Sequence, residues 1–467
     1  MGEQDRRNSS IRRQADRESD PPLKNLSTIY GAFVMAMSSK RQRGGEVDGI
    51  NFKSWFSCFG EESIHECSDQ GNSIFGRGAF GEISVALSAS HNNCHPFGLA
   101  AVKTIEQAVL STSSFEQGKK QQLAKEIFHE LCALRYLNPH PNIIPLLAVY
   151  PAKQAHLSRT SALSLAFAYC PADLHLTLEW RRRTFKPFLS VDVVKTIARD
   201  VFSALHHCHS LGVLHRDVKP GNLLISSTGV IQLCDFGLAK PWEDVRESSS
   251  LPKLAAGETG SKALCTLYYR PPEVLFGGQA ADPAVDMYSA ATVIVELITG
   301  RPMFPGKNVL DQLSLVFDLL GTPTDTNWPD AKDLPDYGKL NFTNRSAKSW
   351  SEVIPRVTEF PHLYELLANL VTLDPKQRWK AEQALDNACF CSNPLPADYG
   401  RLRDELIPPT LREPVFLSSE DLTVAKRQAL DLASSRKSFL TKISSDWKGT
   451  NAARLTWASA SDEIESL

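Results

Sequence analysis

The sequence lacks any apolar run approaching the roughly 18 residues a membrane span needs, so no membrane partner and no spanning helix is expected. Its first residues, MGEQDRRNSS, lack the apolar core of a secretory signal. Gly2 alone suggests myristoylation, but Arg6 stands where that pattern needs Ser or Thr, and the reading fails. A charge bias is missing too: 51 basic residues face 53 acidic ones, which excludes a general affinity for nucleic acid or other polyanions. The ten cysteines are scattered, with Cys389 and Cys391 the one close pair and no CxxC spacing. Neither a zinc site nor a disulfide framework follows, and a reducing intracellular compartment, nucleus or cytoplasm, is the expectation. The arginine clusters at 6–13 and 40–43 are too sparse to mark nuclear import. Internal repeats are absent.

What is present begins with a polar stretch over 1–70, read as a mostly disordered N-terminal extension with short apolar islands. GRGAFG, Gly76 to Gly81, then places three glycines at the spacing of a phosphate-approaching backbone. An ordinary turn has the same look, so the context decides. A P-loop needs Lys and Ser/Thr after the last glycine, and Glu82 and Ile83 follow instead. A dinucleotide fold needs a helix to open at the glycines and an acid about 20 residues on. Here a strand pattern follows, with Ile83, Val85 and Leu87 alternating, and position 101 is Ala101.

A second strand, LAAVKTI, carries Lys103, a candidate to neutralise phosphate. KKQQLAKEIFHELCALRYL then shows helical spacing through Leu123, Ile127, Leu131 and Leu134. Glu126 and Glu130 share a face of that helix, and Glu130 has the preferred register as the lysine's carboxylate partner. HPNIIPLLAVY and LSLAFAY read as further strands. Beyond about residue 171 the pattern turns helical, in VDVVKTIARDVFSALHHCHSLG, PAVDMYSAATVIVELITG, DQLSLVFDLLG and FPHLYELLANLV. The chain therefore reads as α+β: a small β-rich lobe over 71–170, a larger helical lobe over 171–392, and a polar tail over 393–467 with a helix through DLTVAKRQALDLASS.

HRDVKPGNLLI, from His215 to Ile225, and CDFGLAK, from Cys234 to Lys240, complete the set. In this order, after the glycine loop and the lysine, they resemble the eukaryotic protein kinases over about residues 73–392. The resemblance implies the two-lobed kinase fold with disordered extensions at both ends, ATP and Mg2+ as cofactors, and transfer of the γ-phosphate to Ser or Thr of a protein. It implies Asp217 as the base that accepts the substrate proton, Lys219 at the γ-phosphate, and Asn222 and Asp235 as metal ligands. Gly237 is expected to permit the turn after Asp235. The nucleotide would lie under Gly76, Arg77, Gly78, Ala79, Phe80 and Gly81, with its adenine between Ile83, Ala101 and Leu224. The hinge would be Ala168-Tyr169-Cys170, behind Phe167 and before Asp173. With Lys103, Glu130, Asp217, Asn222 and Asp235 all present, a catalyst is preferred to a pseudokinase or scaffold that binds partners without turnover.

TLYYRPPEVLFG, DLLGTPTDTNWPDAKDLPDY and the PLP segment narrow the likeness to cyclin-dependent kinases, among divergent members such as cell-cycle-related and activating kinases. In that group Arg270 favours proline after the phosphoacceptor, so a proline-directed Ser/Thr specificity is expected. The helix that binds cyclin in that group reads AKEIFHE here, which leaves a cyclin or cyclin-like activator as an open expectation. Register puts Ser261 at the activating phosphosite, with Thr259 as the alternative. Of the arginines that would receive that phosphate, Arg216 is present, while Lys240 and His129 replace the others, so a weaker dependence on phosphorylation follows. Glu273 is expected to pair with Arg378 in a structural ion pair. At the glycine-loop tip, Ala79 and Phe80 stand where many such kinases carry phosphorylatable residues.

Overall fold

The computed structural model describes residues 46–47, 50–51, 64–67, 74–78, 81–89, 97–106, 127, 129–150, 161–242, 267–352, 354, 359–412, 416–417 and 422–447. Within these the small lobe is an antiparallel sheet of strands β1 (Ile64–Glu66), β2 (Ile74–Gly78), β3 (Gly81–Ala89), β4 (Phe97–Glu106), β5 (Leu146–Tyr150) and β6 (Ser161–Ala168). β1 and β2 both pair with β3, and the sheet continues in the order β3-β4-β6-β5. The expected strands through ISVAL, LAAVKTI and LSLAFAY are β3, β4 and β6. HPNIIPLLAVY is a strand only in its second half. Its Ile143 instead makes a parallel bridge to Leu233, stitching the small lobe to the large one.

Alternation along β3 sorts the side chains onto two faces. Ala86 packs with Ala100, Val102, Ala148 and Ala166, while Val85 and Leu87 pack with Leu99 on the opposite side. A helix, α1, runs through residues 127 and 129–137 and buries Ile127, Leu131 and Leu134 in the main core, the helical spacing read from the sequence. Glu126 lies outside the described residues.

Helix α2 (Leu174–Arg183) starts where the Asp173 carboxylate accepts the Leu176 N–H at 2.8 Å, a cap worth about 1 kcal/mol. Arginines 181–183 then complement its C-terminal dipole end. α3 (Val191–Ser210) buries Val194, Ile197, Val201, Leu205 and Cys208 along one stripe. α4 (Ala284–Thr299) is apolar around most of its circumference and is accordingly buried on nearly every side. It stops at Gly300, whose φ of 70° is the left-handed cap that glycine takes without strain. α5 (Val309–Leu320) and Pro361–Leu370 supply the remaining helices expected from the pattern. The expected ion pair forms: Arg378 Nη1 donates to Glu273 at 2.9 Å, with the guanidinium 5.0 Å above the ring centroid of buried Tyr288.

The C-terminal stretch was expected as a tail with one helix. The helix is there, over Leu422–Trp447, and Phe416–Leu417 adds a strand to β4. The expectation of a disordered extension therefore does not apply to the described part of this stretch, because its apolar residues find the sheet to pack on. Among the described residues, no helix is long and apolar enough to cross a membrane.

Candidate active site

The glycine hairpin is built as the sequence implied. Gly76 pairs with Ile83, Arg77 with Glu82, and Gly78 with Gly81, so a strand flanks the loop on each side. Ala79 and Phe80, at its tip, lie outside the described residues. Ile83 on β3 stands opposite Lys103 on β4, and Ala101 stands opposite Phe167 on β6. Ile83 and Ala101 are half-buried and belong to one contact group. Ala168 ends β6, and Tyr169 and Cys170 lead to Asp173 at the mouth of α2. Leu224 stands directly across from Asp173 in a short antiparallel pair. The 168–173 turn thus joins the two lobes at their cleft, with Tyr169 in the contact group of Ile83 and Ala101 and Asp173 paired with Leu224.

At its inner end Lys103 Nζ lies 2.6 Å from Glu130 Oε2, with 14% and 3% of the two side chains exposed. Burial alone would lower the Lys103 pKa, but the negative charges of Glu130 and Asp235 outweigh it and raise the value. Burial pushes the Glu130 carboxyl up, with Lys103 offsetting part of the shift. The sensitivity of Lys103 to Asp235 places that second carboxylate in the same cluster.

Across the cleft, Asp217 is held from several directions. Lys219 Nζ donates to its Oδ2 at 2.6 Å, and Asn222 Nδ2 donates to the same oxygen at 3.0 Å and to the Asp217 carbonyl at 2.8 Å. The Asp217 N–H donates to His215 Nδ1 at 3.2 Å, which fixes the tautomer in which His215 Nε2–H donates to the Cys234 carbonyl at 2.9 Å. His215 also packs edge-on against Phe236, centroids 4.8 Å apart, so both residues are packing elements. One hydrogen-bonded chain therefore runs from the loop bearing Asp217 to the segment bearing Asp235.

Two residues here adopt left-handed backbone without being glycine: Arg216 at φ 70° and Asp235 at φ 62°. Such residues cost about 1–3 kcal/mol each and cluster at functional sites. Gly237 lies in the 3-10 turn Phe236–Leu238, and the positive φ belongs to Asp235 itself.

Sequence reading missed the residue that holds the strained loop. Asp286, fully buried on α4, accepts the backbone N–H of His215 at 2.9 Å and of Arg216 at 2.7 Å, and His209 Nε2–H at 2.9 Å. Burial would raise its pKa, but the hydrogen bond from His209 and the backbone N–H of Arg216 pull it below the ordinary value. The stretch PAVDMYSAATVIVELITG reads in the sequence only as a helix, yet its Asp286 is the residue that holds this loop.

The second missed residue is Arg436, on the terminal helix. Its Nη1 donates to the Cys170 carbonyl at 2.7 Å, and its guanidinium lies 5.5 Å from the Tyr169 ring centroid. Burial pushes the Asp173 carboxyl up, against the pull of the Leu176 N–H and the Arg436 charge. The buried Cys170 thiol is raised to about 12 and points to Gln232, so it is not a nucleophile. Arg216 is buried, Lys240 is exposed and His129 is half-buried, while Arg270 follows the turn Leu267–Tyr269. Ser261 and Thr259 lie outside the described residues.

The donor set suits Mg2+. Asn222 spends its amide nitrogen on Asp217, which leaves its oxygen free to face a cation, and the Asp235 carboxylate would offer a second hard oxygen. One or two carboxylates with phosphate oxygens are the usual protein share of a magnesium site, so the residues fit.

Comparison with known proteins agrees with this geometry. The protein kinase domain family matches residues 70–390. Cyclin-dependent kinase 20 of Mus musculus is 31% identical over 275 residues, covering 59% of this chain and 73% of that protein. Cyclin-dependent kinase 20 of Danio rerio is 29% identical over 371 residues, covering 77% and 98%. Cyclin-dependent kinase D-1 of Arabidopsis thaliana is 34% identical over 287 residues, covering 60% and 65%. Among solved structures, a chain of the CAK complex from Chaetomium thermophilum bound to ATP-gamma-S aligns with a TM-score of 0.58 and 28% identity, over 72% of this chain and 94% of that one.

Proposed function

Since the chain belongs to the protein kinase family, as a cyclin-dependent-kinase-like serine/threonine kinase that uses ATP with Mg2+, we propose the following assignment of its residues and specificity. The ATP phosphates lie under the Gly76–Gly81 hairpin, with Lys103 on their α and β groups and Glu130 holding the lysine in place. Adenine sits between Ile83, Ala101 and Leu224 and bonds to the backbone of Ala168 and Cys170, with Asp173 at the ribose edge. Asn222 and Asp235 would hold Mg2+, which would supply positive charge against the phosphates.

Asp217 orients the substrate hydroxyl and accepts its proton at a carboxylate oxygen. Lys219, already on that carboxylate, extends a positive charge toward the transferred phosphoryl group. Closing the cleft around these groups excludes water, so that the protein hydroxyl rather than water is the acceptor. The 2.6 Å ion pair of Lys103 and Glu130 carries the reading, because it fixes the phosphate-neutralising charge to the helix beside the sheet. Arg270 makes the acceptor site favour Ser-Pro and Thr-Pro, and the surface of α1 accepts a cyclin-like activator. The named relatives and the CAK assembly support that partner class.

The test is a radiolabelled-phosphate assay on a peptide library with wild type and Asp217→Asn. Wild type labels Ser-Pro and Thr-Pro peptides, and the variant loses about a thousandfold or more. Labelling without enrichment at proline would sink the specificity, and an equally active variant would sink the role of Asp217.

A further inference from the structure

The terminal helix binds the small lobe and the hinge together. The chain reaches it by a pinned path along α3. Lys195 Nζ, fully buried, donates to the carbonyls of Ser392 and Pro394 at 3.0 and 2.9 Å, and the Tyr399 hydroxyl donates to Asp200 at 2.9 Å. Farther on, the Thr177 hydroxyl donates to the Leu406 carbonyl at 2.7 Å. Phe416 and Leu417 then pair with Gly98 and Phe97 of β4, past the point where β6 ends its own pairing with that strand. The chain has crossed from the large lobe to the small one, and Leu422–Trp447 runs back.

Along that helix Ala425, Ala429 and Ala433 recur every fourth residue and are buried against Cys67, Val85, Leu87 and Leu99. Three alanines on one stripe let the helix axis lie close to the sheet, since only a methyl group separates backbone from strand. The face they cover is the one that carries Ile83 and Ala101. One turn past Ala433, Arg436 donates to the Cys170 carbonyl, stacks over Tyr169 and sets its charge toward Asp173. Phe439 and Leu440 finish on the main core.

We propose that this helix is a wall of the ATP pocket supplied by the same chain, and that Arg436 is a positioning residue for the nucleotide. By holding the Cys170 carbonyl, Arg436 fixes the turn that adenine bonds to, while the alanine stripe fixes the strands that carry Ile83 and Ala101. The helix supports the pocket and does not plug it: Ile83, Ala101 and Leu224 remain half-buried, and Lys103 keeps 14% of its side chain exposed. The proposal rests on the reading of this cleft as the ATP site. Because coupling is reciprocal, nucleotide binding must tighten the helix by the same factor that the helix tightens nucleotide.

Two measurements on the full chain test it. Steady-state assays of Arg436→Ala should show KM for ATP raised about tenfold, as loss of a charged hydrogen bond does, with KM for the peptide unchanged and part of the loss recovered in Arg436→Lys. In the wild-type protein, a non-hydrolysable ATP analogue should slow amide exchange across 422–440. An unchanged or lowered KM for ATP in Arg436→Ala overturns the proposal, as does a parallel rise in both KM values. If the variant does not fold, exchange in the wild type decides, and no added protection overturns the proposal. A wild-type protein that binds no nucleotide removes the ATP-site reading first and this inference with it, whereas nucleotide binding insensitive to Arg436 removes the inference alone.

Discussion

Lys103 Nζ and Glu130 Oε2 lie 2.6 Å apart, one on β4 and the other on α1, so the pair forms only while helix and sheet keep their present spacing. The pair thus makes the helix position a condition for neutralising the phosphates. Lys103→Met and Glu130→Gln should each lower kcat/KM by about a hundredfold or more, since a small misplacement at a phosphoryl-transfer site already has that effect. Circular dichroism should show both proteins folded. Near-normal turnover by either variant would detach the pair from catalysis.

Asp286 gives a pH signature. Its folded pKa is lowered, so it contributes stability that is complete above the ordinary carboxylate value of 3.8 and is lost as pH falls through the lowered folded value. Asp286→Asn should therefore be less stable than wild type by about 2 kcal/mol at pH 5–7, the worth of hydrogen bonds to a charged group. The gap should narrow below pH 4 as the wild-type carboxylate takes up its proton. Urea titrations of both proteins at several pH values measure it, and a gap that does not change with pH would contradict the assignment.

Phosphorylation at Ser261 should modulate rather than switch the enzyme. Arginine forks bind phosphate through paired hydrogen bonds that Lys240 and His129 do not reproduce. Ser261→Ala should keep roughly a tenth or more of wild-type activity, the loss of about one charged hydrogen bond. Complete inactivity of that variant would show a stronger requirement than these side chains support.

Much of this was legible because the chemistry is local in sequence. GRGAFG, HRDVKPGN and DFG each lie within one turn or loop, and their residue types suffice to name the task. Glu130 was legible at longer range only because helical spacing limits which acids face a neighbouring strand. Asp286 was not, since it acts on two backbone N–H groups 70 residues away, and backbone groups leave no mark in a sequence. The left-handed backbone of Asp235 was not legible either, because nothing in the residue type marks it and its surroundings impose it. The terminal helix was legible as a helix, but its alanine stripe says only that something is close, not what. Arg436 then looked like any solvated arginine, because the carbonyl it binds belongs to another part of the chain.

The pairing of Phe416 with Gly98 also makes completion of the small lobe wait on a stretch that is synthesised late. Strands β1 to β6 have all been synthesised by residue 168, yet among the described residues Val85, Leu87 and Leu99 take part of their cover from Ala425, Ala429 and Ala433. Until that stretch emerges, a nascent small lobe presents an apolar face and an open strand edge, the features that invite association with other chains. The early-made half of the protein thus waits, exposed, for the late-made helix that covers it.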